Sequence, residues 1–115
     1  MAIVVNGTTG SPRLDKGDEV TVTGRVLITH DPLDGEFRNG DILVTGMTTP
    51  DYVSLYSRAS AVVTDRGSIL CHAAIVAREY GIPAVVATKV ATSQLTNGET
   101  ATVTVSRQGG TITQE

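Results

Sequence analysis

Three short apolar runs most constrain the fold of this 115-residue chain. Residues 41–46 (DILVTG) and 60–65 (SAVVTD) have the composition of buried strands, and residues 83–88 (PAVVAT) indicate a further strand. Each run is too short for a helix, and the segments that separate the runs carry helical signals instead. The pattern predicts a β-rich α/β domain that covers residues 1–115.

Two helices are predicted between these strands. Residues 48–59 open with Thr-Pro, and residues 72–80 follow the second strand after a glycine-bearing turn. Gly81 is expected to end the second helix in the left-handed conformation, and Pro83 prevents its continuation. Apolar residues recur at helical spacing in both segments: Tyr52, Leu55, Tyr56 and Ala59 in the first, and Ala73, Val76, Ala77 and Tyr80 in the second.

The remaining segments predict further strands and turns. Residues 2–7 form a strand that ends at a glycine, and residues 18–29 form an alternating strand with a bulge or bend at Gly24. Residues 30–41 indicate a loop or wide hairpin. Residues 89–95 predict a single helical turn, and 97–115 a closing hairpin with Gly109-Gly110 as its turn signal.

Composition excludes several functional classes. The net charge is −3 and no Lys/Arg run is present, which argues against a nucleic-acid surface. No apolar stretch approaches the ~20 residues of a membrane span, and the N-terminus makes a poor signal peptide. A single cysteine excludes an internal disulfide. These features predict a soluble, cytoplasmic protein.

A histidine at a strand-turn-helix junction is the best candidate for chemistry. His72 opens the second helix, where unpaired N–H groups and roughly half an elementary charge favour an anion. With the Ser68 hydroxyl and Arg66, these donors could hold a phosphoryl group beside the imidazole. The positive helix end also favours neutral imidazole, the nucleophilic form. The alternative is an ordinary solvated or hydrogen-bonded histidine.

Other polar residues favour structural interpretations. Cys71 and His72 are adjacent on a helix and therefore point about 100° apart, which does not make a nucleophile-base pair. His30 lies in a distant loop, so no zinc-type ligand cluster is predicted. Four other residues have structural readings: Asp65 as a loop cap, Glu79 as part of a solvated helix face, and Thr48 and Thr49 as helix caps or turn residues.

The junction resembles the phosphohistidine signature of the PEP-utilising enzymes, which include phosphoenolpyruvate synthase, pyruvate phosphate dikinase and rifampin phosphotransferase. The residues that fit its pattern are Gly67, His72, Ala73, Ala74, Ile75, Val76, Ala77 and Arg78. The likeness continues through 79–88 (EYGIPAVVAT), upstream through 40–52 and downstream through 95–112. Ser68 stands where the pattern usually has a second glycine or alanine. Leu70 stands where many members carry a hydroxyl, and the rifampin-type branch resembles this chain in having leucine at that position.

The resemblance implies the family's mobile, or swivelling, domain, a β/β/α fold with a central β-sheet flanked by helices. His72 would be the phosphoryl-accepting nucleophile, with Arg66, Gly67, Ser68, Ala73 and Ala74 supporting the phosphate. Arg78 would contact a partner domain or form a salt bridge with a neighbour.

It also implies that the domain works with others. The partners would be an ATP-grasp nucleotide-binding domain or subunit and a PEP/pyruvate or acceptor-substrate domain, with Mg²⁺ at those partner sites. No cofactor, metal, nucleic acid or membrane would be bound by this domain, which we expect to be a separate subunit without turnover alone. The alternative is a non-catalytic structural or regulatory module that retains the fold.

Overall fold

Seven β-strands close into a barrel in the computed structural model, which describes residues 2–115. Met1, where the predicted domain begins, lies outside the described residues. Around the barrel the strands follow the order β1-β5-β4-β3-β2-β6-β7. Their bounds are β1 Ile3–Ser11, β2 Glu19–Ile28, β3 Ile42–Thr45, β4 Ala61–Thr64, β5 Ala84–Val86, β6 Thr100–Ser106 and β7 Gly109–Gln114.

The barrel combines a parallel and an antiparallel part. Strands β2, β3, β4 and β5 are parallel neighbours, whereas β6, β7 and β1 complete the wall by antiparallel pairing. The mixed α/β class is confirmed. The predicted central sheet flanked by helices is wrong in form, because β1 pairs with both β5 and β7 and leaves no free edge. Closure removes the unpaired edges that an open sheet would expose.

Within residues 2–115, three short helices accompany the barrel. They are α1 (Val53–Tyr56), which follows a 3₁₀ turn at Pro50–Tyr52, α2 (His72–Tyr80) and α3 (Ala91–Gln94). The bounds of α2 are those predicted, and Gly81 ends it at φ 71° in the left-handed region. Within the described residues, the longest helix is far shorter than a bilayer crossing requires.

Two apolar clusters lie on opposite sides of the wall formed by β3, β4 and β5. Residues such as Ile42 and Val63 point into the barrel, where Leu95 after α3 also packs. Leu43 and Val62 point outward and are covered by α1 and α2. Successive residues of these strands therefore bury opposite faces, which explains why the strands are apolar throughout rather than alternating.

At three glycines the structure differs from what the sequence patterns predict. Strand β1 runs past Gly7, where a Cβ would lie 2.6 Å from the carbonyl oxygen of Val86, so the glycine permits close approach rather than ending the strand. Pairing of β2 with β6 is continuous at Gly24, so no bulge is present there. The final hairpin turns at residues 107–108, and Gly109 already belongs to β7.

The segment between β2 and β3 also differs from one of its two predicted forms. Residues 30–41 contain no regular strand or helix, and they join two strands that pair in parallel. A hairpin joins antiparallel strands, so the loop interpretation is confirmed and the hairpin is wrong. Because β2, β3, β4 and β5 are parallel, their carboxyl ends meet at one rim of the barrel.

Candidate functional site

His72 lies at the rim formed by the carboxyl ends of the parallel strands. The loop after β3 supplies Thr48, and the loop after β4 leads into α2, whose first residue is His72. In α/β sheets this rim is where ligands bind, because loops there carry side chains that the strands hold in place. The His72 side chain is half-buried.

One imidazole nitrogen is already engaged. Oγ1 of Thr48 lies 2.9 Å from Nδ1 of His72 and 2.8 Å from the hydroxyl oxygen of Tyr56. Within residues 2–115, Nε2 of His72 makes no hydrogen bond. The ring is therefore held by Nδ1, and Nε2 is the nitrogen left for chemistry. Thr48 was predicted to be a cap or turn residue, and that interpretation is wrong.

Aromatic packing fixes the same imidazole. The rings of Tyr56 and His72 meet edge to face with centroids 6.5 Å apart, and Tyr56 stacks on Tyr80 at 6.1 Å. Burial raises the pKa of Tyr56 to about 12, so its hydroxyl is protonated at physiological pH. Both tyrosines were predicted to lie on apolar stripes. The hydroxyl contact was missed, although a buried tyrosine usually needs a partner for its O–H.

The start of α2 presents backbone donors beside His72. Cys71 is the N-cap residue in an extended conformation and makes no side-chain capping bond. His72, Ala73 and Ala74 are too early in the helix to donate to a carbonyl four residues back. Ala73 and Ala74 have no solvent-accessible surface, backbone included, so their N–H groups would have to become exposed before an anion could reach them. Their phosphate-supporting role stays a prediction.

The loop before α2 is shaped by a glycine and a serine. Gly67 adopts φ 127°, and a Cβ there would lie 2.8 Å from Sγ of Cys71 and 3.0 Å from Cε of Met47. Both the backbone conformation and the space therefore favour glycine. The Ser68 hydroxyl accepts a hydrogen bond from the N–H of Leu70, so its observed role is to order the loop. Its predicted phosphate contact stays a prediction.

Arg66 lies at the same rim but on the side of the loop after β3. Nη2 of Arg66 lies 3.6 Å from the point that a Cβ of Gly46 would occupy, and Nε2 of His30 lies 3.5 Å from the same point. His30, which the sequence placed in a distant loop, is thus brought to the rim because β2 and β3 pair in parallel. Arg66 is exposed, and its role as phosphate support stays a prediction.

Arg78 binds backbone carbonyls. Its Nε donates to the carbonyl oxygen of Gly10 at 2.9 Å, and its Nη2 donates to that of Ile69. The predicted salt bridge to a neighbour is wrong, since these acceptors are main-chain atoms. Arg78 instead ties the loop before His72 to α2 and β1.

The other candidates have the structural roles predicted for them. Asp65 accepts hydrogen bonds from the N–H and hydroxyl of Thr92, which confirms its capping role. Cys71 packs against the outer apolar cluster, and Glu79 is exposed on α2. Among residues 2–115, no three His, Cys, Asp or Glu side chains gather as metal ligands would.

The chain is similar to known proteins in sequence and in structure. Residues 37–108 match the family model described as PEP-utilising enzyme, mobile domain. The chain is 46% identical over 101 residues to a protein of Archaeoglobus fulgidus named "Probable phosphoenolpyruvate synthase", and 50% identical over 92 residues to an uncharacterised phosphotransferase of Bacillus subtilis. These alignments cover 88% and 79% of the chain, but only 13% and 11% of the relatives.

A solved structure gives the same assignment. The chain resembles the NMR solution structure of an Enzyme I protein with a TM-score of 0.52 and 28% identity, over 67% of this chain and 31% of that one. The chain thus spans about an eighth of its sequence relatives and a third of this structural one. The matched residues 37–108 contain His72, Thr48 and Tyr56. The chain belongs to the family of PEP-utilising enzyme mobile domains.

Proposed function

We propose that this domain is a phosphohistidine carrier, which accepts a phosphoryl group on Nε2 of His72 and passes it to an acceptor. One observation carries the proposal: Thr48 occupies Nδ1 at 2.9 Å, while Nε2 is unbonded within residues 2–115 at the start of α2. The relatives are named as phosphoenolpyruvate synthases and a phosphotransferase, which supports phosphoryl transfer as the chemistry.

The transfer step needs a nucleophilic nitrogen and stabilisation of charge. Nε2 forms a bond to phosphorus, the bond from phosphorus to the donor's leaving atom breaks, and the leaving atom keeps the electron pair. Nε2 attacks with its in-plane lone pair, which is free when the ring proton is on Nδ1, and the phosphorylated ring then releases that proton to water or to an acceptor group of the partner. Unpaired N–H groups at the start of a helix are positioned to stabilise the phosphoryl oxygens.

The donor and acceptor sites would belong to partner domains or chains. A (β/α)₈ barrel alone takes ~250 residues, and this chain spans about an eighth of its relatives. We therefore propose an ATP-grasp nucleotide-binding partner and a PEP/pyruvate or acceptor-substrate partner, with Mg²⁺ at their sites. Transfer depends on positioning and on cations at the transferring oxygens, so the domain alone is expected to give no steady ATP turnover.

Phosphoramidate, a small reagent that phosphorylates histidine directly, tests the acceptor without a partner. We expect one acid-labile, alkali-stable phosphate per chain by intact mass, at His72 by peptide mapping. His72→Ala should lose it, and the control His30→Ala should keep it. Labelling of His30 alone would refute His72 as the reactive histidine.

A second experiment separates the carrier from a structural module. The chain would be combined with an ATP-grasp partner, ATP and Mg²⁺, and phosphoryl transfer to the chain followed by intact mass. If the reconstituted complex is as active with His72→Ala as with the unchanged chain, the carrier proposal is wrong and the domain is a structural or regulatory module. Sustained ATP hydrolysis by the chain alone that depends on His72 would also overturn it.

A further inference from the structure

A cleft beside the loop that precedes His72 gathers three arginines. It has a volume of about 410 Å³ and is lined by β1 and the residues after it, the loop before α2, α2 itself and the turn between β6 and β7. The charged residues of its lining are Arg13, Arg78, Arg107 and Asp15. Three guanidinium groups and one carboxylate leave a surplus of two positive charges. The volume is within the ~300–1,000 Å³ of small-ligand pockets.

The protein itself does not neutralise this surplus. Within residues 2–115 the one salt bridge joins Arg25 to Asp41, and neither of these residues lines the cleft. Arg13 and Arg107 are exposed and form no salt bridge with Asp15 or with any other carboxylate of that range. A cleft lined by an excess of one charge raises the local concentration of the opposite ion, so the cleft favours an anion.

Arg78 supplies fixed donors to the cleft. Its Nε donates to the carbonyl oxygen of Gly10 at 2.9 Å, and its Nη2 donates to that of Ile69. A guanidinium has five N–H donors, and three of those of Arg78 have no acceptor within residues 2–115. Because the side chain is already held by two carbonyls, an anion can bind the remaining donors at little cost in side-chain entropy.

The uncharged part of the lining is mostly apolar. Ile69 and Leu70 are 52% and 75% exposed, and Pro12 and Leu14 are half-buried. Removal of apolar surface from water is favourable in proportion to the area covered. The lining therefore suits a ligand that has an apolar body as well as a charged group.

We propose that this cleft binds a small phosphate monoester with an apolar body, at a site separate from His72. A phosphate monoester above its second pKa carries two negative charges and has three strong acceptor oxygens. These match the two surplus positive charges and the three unused donors of Arg78. A carboxylate offers one charge and two oxygens, so it matches the cleft less well. Neither His72 nor Thr48 lines the cleft, so this phosphate is not the group that His72 would carry.

A ligand in the cleft would also hold the loop before His72. Ile69 and Leu70 line the cleft from this loop, whereas Arg107 lines it from the turn between β6 and β7. A ligand that contacts both sides bridges the loop to the barrel and adds to the tie that Arg78 makes at Ile69. Opening of the loop would break these contacts, so binding stabilises the closed loop.

Nitrogen-15 NMR of the full chain tests the site, with phenyl phosphate as the probe. At about pH 8 a phosphate monoester is a dianion, because its second pKa is about 6. Three comparison compounds separate charge from apolar contact: inorganic phosphate lacks the apolar body, phenylacetate has a single charge, and benzyl alcohol has none. The variants are Arg107→Gln, Asp15→Asn and Leu70→Ser. Arg38→Gln and Leu33→Ser are matched controls, because both residues are exposed in the loop between β2 and β3.

We expect saturable shifts of the backbone amides of Gly10, Leu70 and Arg107. Phenyl phosphate should bind at least about threefold more tightly than each comparison compound, since each lacks part of the match. Arg107→Gln should weaken its binding about five- to tenfold, and Leu70→Ser about twofold or more. Asp15→Asn should strengthen it about two- to fivefold, because the carboxylate repels the dianion. Both controls should leave the Kd unchanged.

Hydrogen exchange measures the effect on the loop. The amides of Leu70 and Cys71 donate to Ser68, so they exchange when the loop opens. At a phenyl phosphate concentration ten times the Kd, their exchange should slow by about tenfold if only the closed loop binds. Equal exchange rates with and without the probe would refute the effect on the loop.

Three results would overturn the proposed site. Phenyl phosphate could give no saturable shift, or it could shift the amides around Thr48 and His72 instead of those of the cleft. Arg107→Gln could also match Arg38→Gln while circular dichroism shows both folded. Equally tight binding of inorganic phosphate or of benzyl alcohol would refute the ligand class. None of these measurements uses a phosphoryl donor, so failure of His72 to accept phosphate would refute the carrier function alone.

Discussion

Gly10→Ala tests how closely α2 lies against β1. A Cβ at Gly10 would lie 2.9 Å from Cβ of Ala74 in α2 and 3.4 Å from Cγ1 of Val86. Carbon atoms in contact are ~3.5–4.0 Å apart, so the helix would have to move by roughly half an ångström or more. Overpacking of this kind costs about 1–3 kcal/mol. We expect Gly10→Ala to lower the free energy of unfolding by about 2 kcal/mol.

A second substitution makes the prediction specific to this contact. Ala74→Gly removes the methyl group that Gly10→Ala would meet. Alone it costs about 1 kcal/mol in helix propensity and about 0.8 kcal/mol for the buried methyl group. In the double variant the new Cβ fills the vacated space, so its total cost should stay near 2 kcal/mol. Simple addition would give about 4 kcal/mol, and the difference is the coupling.

Urea unfolding of the four chains measures this coupling. Gly35→Ala is the control, because a Cβ there meets no atom within 4 Å, and it should change stability by less than about 0.5 kcal/mol. If the single costs of Gly10→Ala and Ala74→Gly add within about 0.5 kcal/mol in the double variant, α2 and β1 do not meet at this point. The position of α2, and with it that of His72, would then need another explanation.

Two further predictions concern the contacts around the site. Arg78→Lys should lower the free energy of unfolding by about 1 kcal/mol and slow phosphorylation of His72, because an ammonium group cannot bond the carbonyls of Gly10 and Ile69 together as a guanidinium does. Urea unfolding measures the stability, and phosphoramidate labelling measures the rate of phosphorylation. The control is Arg13→Lys at an exposed arginine, and equal effects of the two substitutions would contradict the prediction. The pKa of Tyr56 in the folded state is about 12, above its ordinary value of 10. The protonated hydroxyl therefore contributes its full stabilisation below pH 10, and the free energy of unfolding falls by about 2 kcal/mol as the pH rises to 12. Urea unfolding of Tyr56→Phe should show a correspondingly smaller loss, and an unchanged alkaline slope contradicts this.

The segment around His72 could be predicted from local signals alone. Helix α2 begins and ends where the apolar spacing, Gly81 and Pro83 place it, because each signal acts within a few residues of the boundary that it sets. The apolar runs of β3, β4 and β5 were likewise recognisable, since strands buried on both faces have no polar alternation.

The closed barrel could not be predicted in this way. Its closure depends on β1, which pairs with β5 and with β7 far along the chain. A strand's sequence indicates which of its faces is buried, whereas the choice of partner depends on contacts between distant segments. The same limit explains why the sequence predicts a bulge or bend at Gly24: the close neighbour of this glycine is the carbonyl oxygen of Gly40, 2.5 Å from the position of a Cβ.

The polar contacts of His72 were missed for a related reason. Thr48 lies two residues before Pro50, and the local sequence there favours a cap or turn residue, although the N-cap residue is Thr49. The Thr48 hydroxyl instead bonds Tyr56 and His72, which lie eight and 24 residues further along the chain. A buried tyrosine hydroxyl that needs a partner was the available signal, but it does not identify which residue supplies that partner.

A carrier must present one reactive nitrogen in the same place to two different partners, and the contacts of this domain meet that requirement without a partner present. Thr48 holds one nitrogen of His72, Tyr56 contacts its ring, and Arg78 ties the preceding loop to β1. None of these contacts uses Nε2. A docking partner would therefore meet a site that is already ordered, and the entropy of ordering it would not reduce the binding free energy. If the domain acts as proposed, exchange between partners depends on movement of the whole domain rather than on rearrangement at His72.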